Sequence, residues 1–446
     1  MDIRERQKTL DASQLPETGR TVILTRAALQ AISGRSGSAL IIALMLSLIV
    51  IMLMGVGGKM IATSHQESKV QQRVLTEADN VARAGLVDAM AWFKRQATQP
   101  VRSGLNMSLA AYPDAAFYPR YSADASKRDT IDESLGLVKE YELSSDGKKW
   151  ARYEVLRQTE NPSTGTYNDR AVHDITSQRI DGKQDGEGYV WYIESAGYVY
   201  QRNDANVAYN VSPNKIIAKV RASTEIRRLT LSLPANAAFM TKTITGTSTA
   251  KTVAVFKNGR IVGGANIGVA AVSGTPYIAS NAKVTGTPAS STGLTDPTVY
   301  NVFGVPQADL KLISDYVVSD TAQLPATMPD MSLIFVDGNA VFSSTRTLNG
   351  SGVLFVNGNL TIDANANVMY SGLIYATKKV TILEPALISG AVVGYTGLTL
   401  SRTAATDVAE IDFDNTIINS IKQQICQYRE NKSTLHVFIG VPALER

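Results

Sequence analysis

Histidine and cysteine are the side chains that most often carry catalysis or hold a metal ion. This sequence has three histidines, His65, His173 and His436, which lie far apart and form no H-x-x-x-H pair or other zinc-type spacing. Its single cysteine, Cys426, cannot close an intrachain disulfide, and we interpret it as a small buried residue. No nucleophile elbow, Walker A or Rossmann motif is present. These patterns predict no catalytic residues, no cofactor and no metal.

Three neighbouring acids, Asp181, Asp185 and Glu187, are candidates for a calcium loop because Ca²⁺ prefers carboxylate oxygens. Their spacing does not match that of an EF-hand. The surrounding sequence DGKQDGEG is rich in turn residues, so an exposed hairpin loop explains the acids as well. We therefore predict no metal site at this loop.

The acids of the C-terminal repeat region, described below, raise the question of an enzyme. Some parallel β-helices act on polysaccharides, and such reactions need carboxyl groups placed together on one face. The repeat region contains Asp330, Asp337, Asp363 and Glu384, and only Asp337 has a similar residue, Asn357, at the same position of the next repeat. We interpret these acids as solvated surface groups and predict that the protein is not an enzyme.

The composition indicates a folded chain of two or three domains. Its 446 residues exceed one ordinary core, and 44% of them are hydrophobic. The 44 Lys and Arg residues nearly balance 40 Asp and Glu residues, which gives a net charge of +4. A nucleic-acid-binding protein would need a stronger basic surface, so we expect no nucleic acid among the partners.

Residues 38–58 (SALIIALMLSLIVIMLMGVGG) form an uncharged run that would be apolar on every face of a helix. At 1.5 Å per residue, this run is long enough to cross a hydrocarbon layer of about 30 Å. Arg20, Arg26 and Arg35 precede the run, and no acid follows Glu17 before it. The positive-inside rule then predicts a cytoplasmic N-terminus and a single-pass membrane protein with its C-terminus outside.

No helix breaker separates this run from the residues that follow, which favours one long helix over a cleavable secretory signal. From residue 70 onward, apolar side chains recur at steps of three and four, as on one face of an amphipathic helix. We predict a helix over residues 38–99 that is ended by Pro100 and is about 90 Å long. Its second half would pack against a globular domain or against copies of itself.

Gly37 is followed by SALIIAL and preceded by the basic Arg35, and the helix continues into EADNVARAGLVDAM. This pattern resembles the class III leader and N-terminal helix of type IV pilins and pseudopilins, and more narrowly those of PilX-type minor pilins. The resemblance implies that a prepilin peptidase cleaves between Gly37 and Ser38 and methylates the new N-terminus. It also implies that the major pilin, other minor pilins and the inner-membrane assembly platform are partners.

Two features depart from this family pattern. The leader of 37 residues is long, and the fifth residue after the predicted cleavage site is Ile42, where major pilins commonly have Glu. In the family, this Glu neutralises the amine of the subunit ahead, which would otherwise be a buried charge. A subunit with Ile42 cannot make that contact, so we expect it at or near the filament tip. The alternative is a protein that stays in the membrane and never enters a filament.

The sequence from residue 101 to about residue 240 predicts an antiparallel sheet. Residues 218–227 (AKVRASTEIR) alternate apolar and polar side chains, as a half-buried strand does. Residues 153–157 and 189–201 are rich in aromatic and β-branched residues and are predicted to be further strands. The succession is similar to the sheet of PilX-type proteins, and we expect the sheet to pack on the exported half of the long helix.

Residues 333–400 contain an internal repeat. LIFVDGNAVF at residue 333, VLFVNGNLTI at 353 and LIYATKKVTI at 373 are 20 residues apart, and AVVGYTGLTL follows at 391. A ladder of hairpins is one interpretation. The near-constant period favours stacked coils, because one coil alone cannot bury its apolar face. We predict a parallel β-helix-like solenoid that begins near residue 253 and buries Leu354, Val356, Leu360 and Ile362.

Helical spacing returns in residues 411–430, with Asp414 or Asn415 as the predicted N-cap. We expect this helix to cover the open end of the solenoid. The predicted fold class is α+β to mostly β. The predicted order is leader, membrane-spanning and amphipathic helix, pilin-like sheet, β-helix-like repeats and C-terminal capping helix, with boundaries at 1–37, 38–100, 101–240, 241–402 and 403–446.

These features together favour a structural filament protein, located first in the bacterial inner membrane and then in a pilus on the cell surface. Two other classes stay open. One is a surface adhesin that keeps the helix as an uncleaved anchor and binds a surface ligand. The other is a β-helix enzyme that acts on polysaccharide.

Overall fold

The computed structural model describes residues 36–96, 99–102, 135–156, 172–247, 250–325, 328–401 and 408–440. The chain divides into two units, residues 1–72 and residues 73–446. The described part of the first unit is the beginning of helix α1 (Ser36–Arg95), and the strands all belong to the second unit. The predicted leader, except for its last residues, lies outside the described residues.

The first half of the second unit contains mainly long strands. After α1 the chain forms β1 (Leu135–Glu142), β2 (Lys149–Leu156), β3 (His173–Asp174), α2 (Thr176–Arg179), β4 (Val190–Gln201) and β5 (Lys215–Arg228). Shorter strands follow, namely β6 (Ala237–Thr243), β7 (Val253–Val255), β8 (Arg260–Val262), β9 (Ile267–Ser273), β10 (Tyr277–Ile278), β11 (Lys283–Thr285) and β12 (Ser290–Thr292).

Two short helices lead into the repeat region. They are α3 (Val299–Phe303) and α4 (Gln307–Leu312), and after them come β13 (Tyr316–Val318) and a 3-10 turn (Thr321–Gln323). The repeats contain β14 (Ser332–Val336), β15 (Ala340–Phe342), β16 (Asn349–Val356), β17 (Leu360–Ile362), β18 (Val368–Ala376), β19 (Lys379–Ile382), β20 (Ala386–Gly394) and β21 (Gly397–Leu400). The last described elements are β22 (Ala409–Phe413), α5 (Asn415–Gln424) and β23 (Tyr428–Gly440). The protein is therefore mostly β, as the sequence predicts.

Helix α1 ends at Arg95, before the predicted boundary at Pro100. After this end, Gln99 Nε2 donates to the carbonyl oxygens of Phe93 (2.7 Å) and Gln96 (3.1 Å). Side-chain bonds of this kind satisfy carbonyl groups at the end of a helix. No helix among the described residues is long and apolar enough to cross a membrane.

An antiparallel sheet lies against the second half of α1. Its strand order is β1, β2, β4, β5 and β23, and β3 pairs with β4 at the side. The three predicted strands of this region correspond to β2, β4 and β5, whereas β23 was not predicted, and its first residues overlap the end of the predicted C-terminal helix. One face of the sheet and α1 share a buried cluster that includes Leu86, Phe93, Tyr153, Trp191 and Ile193. The predicted packing of sheet on helix is confirmed.

The second half of the chain is a parallel β-solenoid, which confirms the interpretation of the repeats. Each repeat contributes one strand to each of two parallel sheets, β14 then β15, β16 then β17, and so on. The register follows the sequence period, since Ile334 pairs with Leu354 and Leu354 with Ile374. All four side chains predicted to fill the core are fully buried, at 0% exposure: Leu354, Val356, Leu360 and Ile362.

Side chains at equivalent repeat positions hold successive coils in register. The side-chain oxygen of Asn339 accepts a hydrogen bond from the backbone N–H of Asn359 (2.8 Å), and Asn359 in turn accepts from Lys379 (3.2 Å). Three aromatic rings at another repeat position also stack, with centroid separations of 4.7 and 5.2 Å: Phe335, Phe355 and Tyr375. The 20-residue period is therefore the length of one coil.

The coils do not stack in the order of the chain, which corrects the predicted start near residue 253. β21 pairs with β7 and β22 pairs with β8, so the last repeat lies beside residues 253–262. β10 and β11 then pair with β7 and β8 and form the terminal coil on that side. Residues 253–262 are thus an inner coil, and the chain enters the solenoid earlier, at β6, which pairs with β20. Parallel pairing requires matching strand faces, not proximity in sequence.

The predicted C-terminal helix over residues 411–430 is too long. Only α5 is helical, and its N-cap is Asp414, as predicted, because Asp414 Oδ1 accepts from the backbone N–H groups of Thr416 (2.7 Å) and Ile417 (3.3 Å). The residues before the cap form β22, which extends the solenoid sheet, and Tyr428 begins β23. Apolar residues at helical spacing also fit short buried strands, which explains the error.

Helix α5 does not cover an open end of the solenoid, contrary to the prediction. It packs against β18 and β20, which lie in the middle of the stack. Ile418 and Ile421 are buried on the contact side and belong to the same core as the solenoid strands. The described stack ends instead with the coil of β10 and β11 on one side and with β13 on the other.

Helices α3 and α4 and the chain after them join the solenoid to the antiparallel sheet. Arg227 of β5 forms an ion pair with Asp309 of α4, and Arg429 of β23 forms one with Asp315. Arg429 Nε also donates to the carbonyl oxygen of Ile313 (2.9 Å). Charged contacts and hydrogen bonds therefore hold the sheet and the solenoid together.

Candidate functional site

The residues predicted to be processed and to pack in a filament lie at the start of α1. The structure describes the backbone of Gly37, Ser38 and Ile42 as helical, whereas their side chains are outside the described residues. The cleavage between Gly37 and Ser38 and the filament role of Ile42 therefore stay predictions.

The apolar run that follows these residues is exposed. Twelve large apolar side chains between Leu44 and Met60 are exposed by 43% to 72%. Because an α-helix has 3.6 residues per turn, side chains at consecutive positions cover its whole circumference. A continuous exposed apolar surface of this kind marks a contact with lipid or with another protein.

The second half of α1 approaches β4 very closely. A Cβ atom built on Gly197 of β4 would lie 2.4 Å from the carbonyl oxygen of Ala78 and 2.4 Å from the backbone nitrogen of Ala82. Both alanines are fully buried, and only glycine fits at this crossing. Gly197 was not among the residues predicted to matter, and its signal in the sequence is a glycine inside an otherwise aromatic strand.

Polar contacts fix the rotation of α1 on the sheet. Lys149 of β2 forms an ion pair with Glu77 of the helix. Tyr153 donates its hydroxyl proton to Asp88, about three turns further along α1. Because both helix residues belong to one long element, these contacts define which side of α1 faces the sheet.

The structure brings two of the three histidines together. His173 of β3 and His436 of β23 line one cleft with a volume of about 370 Å³, which we call the histidine cleft. Its other lining residues are Ile175, Gln178, Arg179, Tyr192, Thr224, Glu225 and Thr434. His65 lies on α1 instead, with an exposed side chain. This pairing of histidines could not be predicted, because no local pattern in the sequence links β3 to β23.

Strand pairing explains how the cleft residues meet. His173 pairs with Tyr192, and Tyr192 pairs with Glu225, so the three form a row across β3, β4 and β5. The neighbours Trp191 and Ile193 face α1, and side chains alternate along a strand. The row therefore lies on the face of the sheet opposite α1. The rings of His173 and Tyr192 are 5.2 Å apart.

A bulge in β23 shapes the other side of the cleft. Asn431 pairs with Glu225 and His436 pairs with Ser223, so four residues of β23 stand opposite the single Thr224. Thr434 fixes the bulge, since its Oγ1 accepts from the backbone N–H of Glu225 (2.9 Å) and donates to the carbonyl oxygen of Asn431 (2.8 Å). Bulges of this kind redirect side chains near functional sites. The signal in the sequence is the turn-forming stretch NKST inside a strand.

The charges in the histidine cleft are balanced. Glu225 is buried at 5% exposure, and its Oε1 accepts from Arg179 Nε (2.9 Å) and Nη2. This hydrogen bond raises the pKa of Arg179. Glu225 Oε2 accepts no hydrogen bond from the described residues and lies 3.9 Å from Arg227 Nη2. The lining thus combines one cation and one anion with two imidazole rings.

The phenol of Tyr192 is neutral at physiological pH. Burial raises its pKa to about 12. Its hydroxyl donates to Glu194 Oε2 (3.0 Å), outside the lining of the cleft. The ring of Tyr192 is therefore held in place by a hydrogen bond at its far end and contributes a flat apolar surface to the cleft.

Two acids of the candidate calcium loop, at which no metal site is predicted, contact α2 and the loop itself. Asp185 Oδ1 accepts from the backbone N–H of Ser177 (2.8 Å), and Glu187 Oε2 accepts from Lys183 Nζ (2.8 Å). The hydrogen bond from Lys183 lowers the pKa of Glu187. Across the residues that the structure describes, no group of three or more His, Cys, Asp and Glu side chains is placed to hold a metal ion.

Glu384 is buried at 4% exposure, so the interpretation of all four repeat-region acids as solvated surface groups is wrong for this residue. Two of the other acids make structural contacts. Asp337 Oδ2 pairs with Lys311 Nζ (2.7 Å), and its Oδ1 accepts from Asn357 Nδ2 (2.9 Å). These two hydrogen bonds lower the pKa of Asp337. Asp330 accepts from the hydroxyl of Ser351 (3.3 Å). Each of these two acids thus contacts a neighbouring coil or helix.

The interpretation of Cys426 as a buried residue is confirmed. Cys426 follows α5 and belongs to the solenoid core. Burial raises the pKa of its thiol to about 12, so the thiol stays protonated. A protonated, buried thiol is a poor nucleophile.

Comparison with known proteins gives little further guidance. No protein-family model matches the sequence, and no curated protein matches it. Among solved structures, the competence-associated pilin ComZ from Thermus thermophilus is similar at 9% sequence identity, with 82% of this chain and 98% of that chain covered and a TM-score of 0.23. A TM-score of this size does not establish a common fold.

Proposed function

We propose that this chain is a structural, pilin-like subunit of a type IV pilus or a related filament, and not an enzyme. One observation carries the proposal: α1 exposes apolar side chains around its circumference between Leu44 and Met60, while its residues from Val74 to Phe93 supply buried side chains to the sheet cluster. A helix of this kind combines an apolar half for lipid or helix packing with a half that holds a globular domain. The resemblance of the sequence around Gly37 to a class III leader supports the same role.

The proposed role defines a location and a set of partners. The chain first lies in the bacterial inner membrane as a single-pass protein with its C-terminus outside. Prepilin peptidase removes the leader, and the assembly platform then passes the subunit to a pilus that contains the major pilin and other minor pilins. The sheet and the solenoid are carried outside on α1, where the solenoid is free to meet a surface ligand.

Cleavage of the leader tests this proposal directly. In a host with prepilin peptidase, we expect the N-terminal sequence of the membrane-extracted protein to begin at Ser38. Gly37→Val should leave the precursor uncut, because the peptidase must admit an extended backbone at this position and a branched side chain would crowd it.

A control lies in the same leader. Gly34→Val introduces the same side chain three residues upstream, and we expect normal processing of this variant. A natural chain that still begins at Met1 in a peptidase-positive host would contradict the proposal and favour an uncleaved anchored adhesin.

Ile42 leads to a prediction about position in the filament. Without an acid at this residue, the subunit cannot neutralise the amine of a predecessor, so we expect the natural protein at filament ends. Ile42→Glu restores the acid and should move the subunit into the shaft. Immunogold labelling of sheared filaments measures the position of the natural protein and that of the Ile42→Glu variant. Even labelling of shafts by the natural protein would contradict the tip position, and labelling of membranes alone would mean that the protein never enters a filament.

A further inference from the structure

We propose that the histidine cleft binds a neutral saccharide. This binding would be an additional property of the sheet domain, separate from any role of α1 in a filament. Five elements contribute lining residues to the cleft, namely β3, α2, β4, β5 and β23. The bulge of β23 shapes one side of it. Its volume of about 370 Å³ lies in the range of small-molecule sites.

The polar groups of the cleft match hydroxyl groups. A neutral imidazole has one nitrogen that donates and one that accepts, and the amide of Gln178 also has both functions. Arg179 lines the same cleft with an exposed side chain, and its guanidinium group adds N–H donors. A sugar hydroxyl donates and accepts through the same oxygen. A ligand with several hydroxyls therefore satisfies this mixed set of groups.

The charge balance of the cleft favours a neutral ligand. Arg179 and Glu225 bind each other, and Arg227 lies on the other side of the same carboxylate. Because the charges of Arg179 and Glu225 offset each other in the lining, neither an anionic nor a cationic ligand would meet an excess of opposite charge. A neutral ligand fits such a lining without the cost of removing a charge from water.

The rings of His173 and Tyr192 add an apolar surface. Their centroids are 5.2 Å apart and their planes are tilted by 40°. The C–H face of a sugar ring packs on such a surface, while its hydroxyls reach the polar groups around it. A purely apolar ligand would cover the exposed imidazole of His436 and the exposed amide of Gln178 without offering them hydrogen bonds. The combination of rings and mixed polar groups therefore indicates a saccharide.

The test uses the full-length chain in micelles of lauryldimethylamine oxide, a detergent without a sugar headgroup. The probes are maltotriose, chitotriose and mannotriose, measured by saturation-transfer NMR and titration calorimetry. We expect saturation transfer to at least one of them. His436→Ala and Gln178→Ala, which change exposed side chains, should each weaken the binding by about tenfold through the loss of a hydrogen bond.

His65→Ala is the matched control, because it removes an exposed histidine outside the cleft, and its affinity should equal that of the natural chain. Circular dichroism checks that each variant is folded. Absence of saturation transfer to all three probes would overturn the proposal. So would equal affinity of the natural chain and both cleft variants. Either result would leave the cleavage of the leader at Gly37 as a separate question.

Discussion

Leu360→Asp is expected to destabilise the folded protein by about 4 kcal/mol or more. Leu360 is fully buried in the solenoid core, and its strand pairs with β15 on one side and β19 on the other. The substitution removes a buried apolar side chain, worth about 1.5–3 kcal/mol, and places a carboxylate where no partner is available. Urea unfolding of the full-length chain in detergent, followed by circular dichroism, measures the effect.

Two further variants separate the effect of losing the apolar side chain from the effect of adding a charge. Leu360→Ala removes the side chain without adding a charge, and we expect a loss of about 2–5 kcal/mol from the cavity. Met369→Asp adds the same charge to β18, where the side chain is 68% exposed, and its effect should stay within about 0.5 kcal/mol. If Leu360→Asp unfolds at the same urea concentration as Met369→Asp, the inward face of the repeats is assigned incorrectly.

The buried side chains of each coil could be predicted because short-range patterns in the sequence indicate them. Asn-Gly and Asp-Gly turns mark where one strand ends and the next begins, as at Asn357 and Asp337. The alternation around Leu360 and Ile362 then identifies the buried face. The recurrence of these marks at 20 residues is sufficient to predict stacked coils, and the structure agrees.

The order of the coils could not be predicted in the same way. β7 and β8 pair with β21 and β22, which follow them in the chain by more than a hundred residues. Their sequence contains the same kind of strand and turn as the other repeats, so several neighbours would satisfy their apolar side chains equally. After β12, α3 and α4 lead the chain to β13 at the other end of the stack, and the later repeats return from there towards β7 and β8.

The histidine cleft also could not be predicted from local sequence patterns. His173 is part of a two-residue strand, and His436 reaches the same face only because the bulge after Asn431 changes the register of β23. β23 itself was hidden, since the sequence before it predicted a continuous helix to residue 430. The aromatic strands β2 and β4, by contrast, were recognisable from their composition.

The close approach of α1 to β4 makes a second large effect measurable. Gly197→Val places a branched side chain where even a Cβ atom would lie 2.4 Å from two backbone atoms of α1. The backbone of a helix cannot give way as a flexible side chain would, so the helix must move off the sheet. We expect a loss of about 3 kcal/mol or more, and faster proteolysis of the segment from Val74 to Phe93, because its buried side chains become accessible.

Gly55→Val is the matched control, because it makes the same change within α1 at a glycine with no atom within 4 Å of the added carbon. The unfolding midpoint and the proteolysis rate of this variant should equal those of the natural chain. The comparison tests the contact between α1 and β4, because both variants add the same side chain and differ only in what surrounds it. A Gly197→Val protein that resists urea and protease as well as Gly55→Val would mean that α1 does not lie on β4 at this distance.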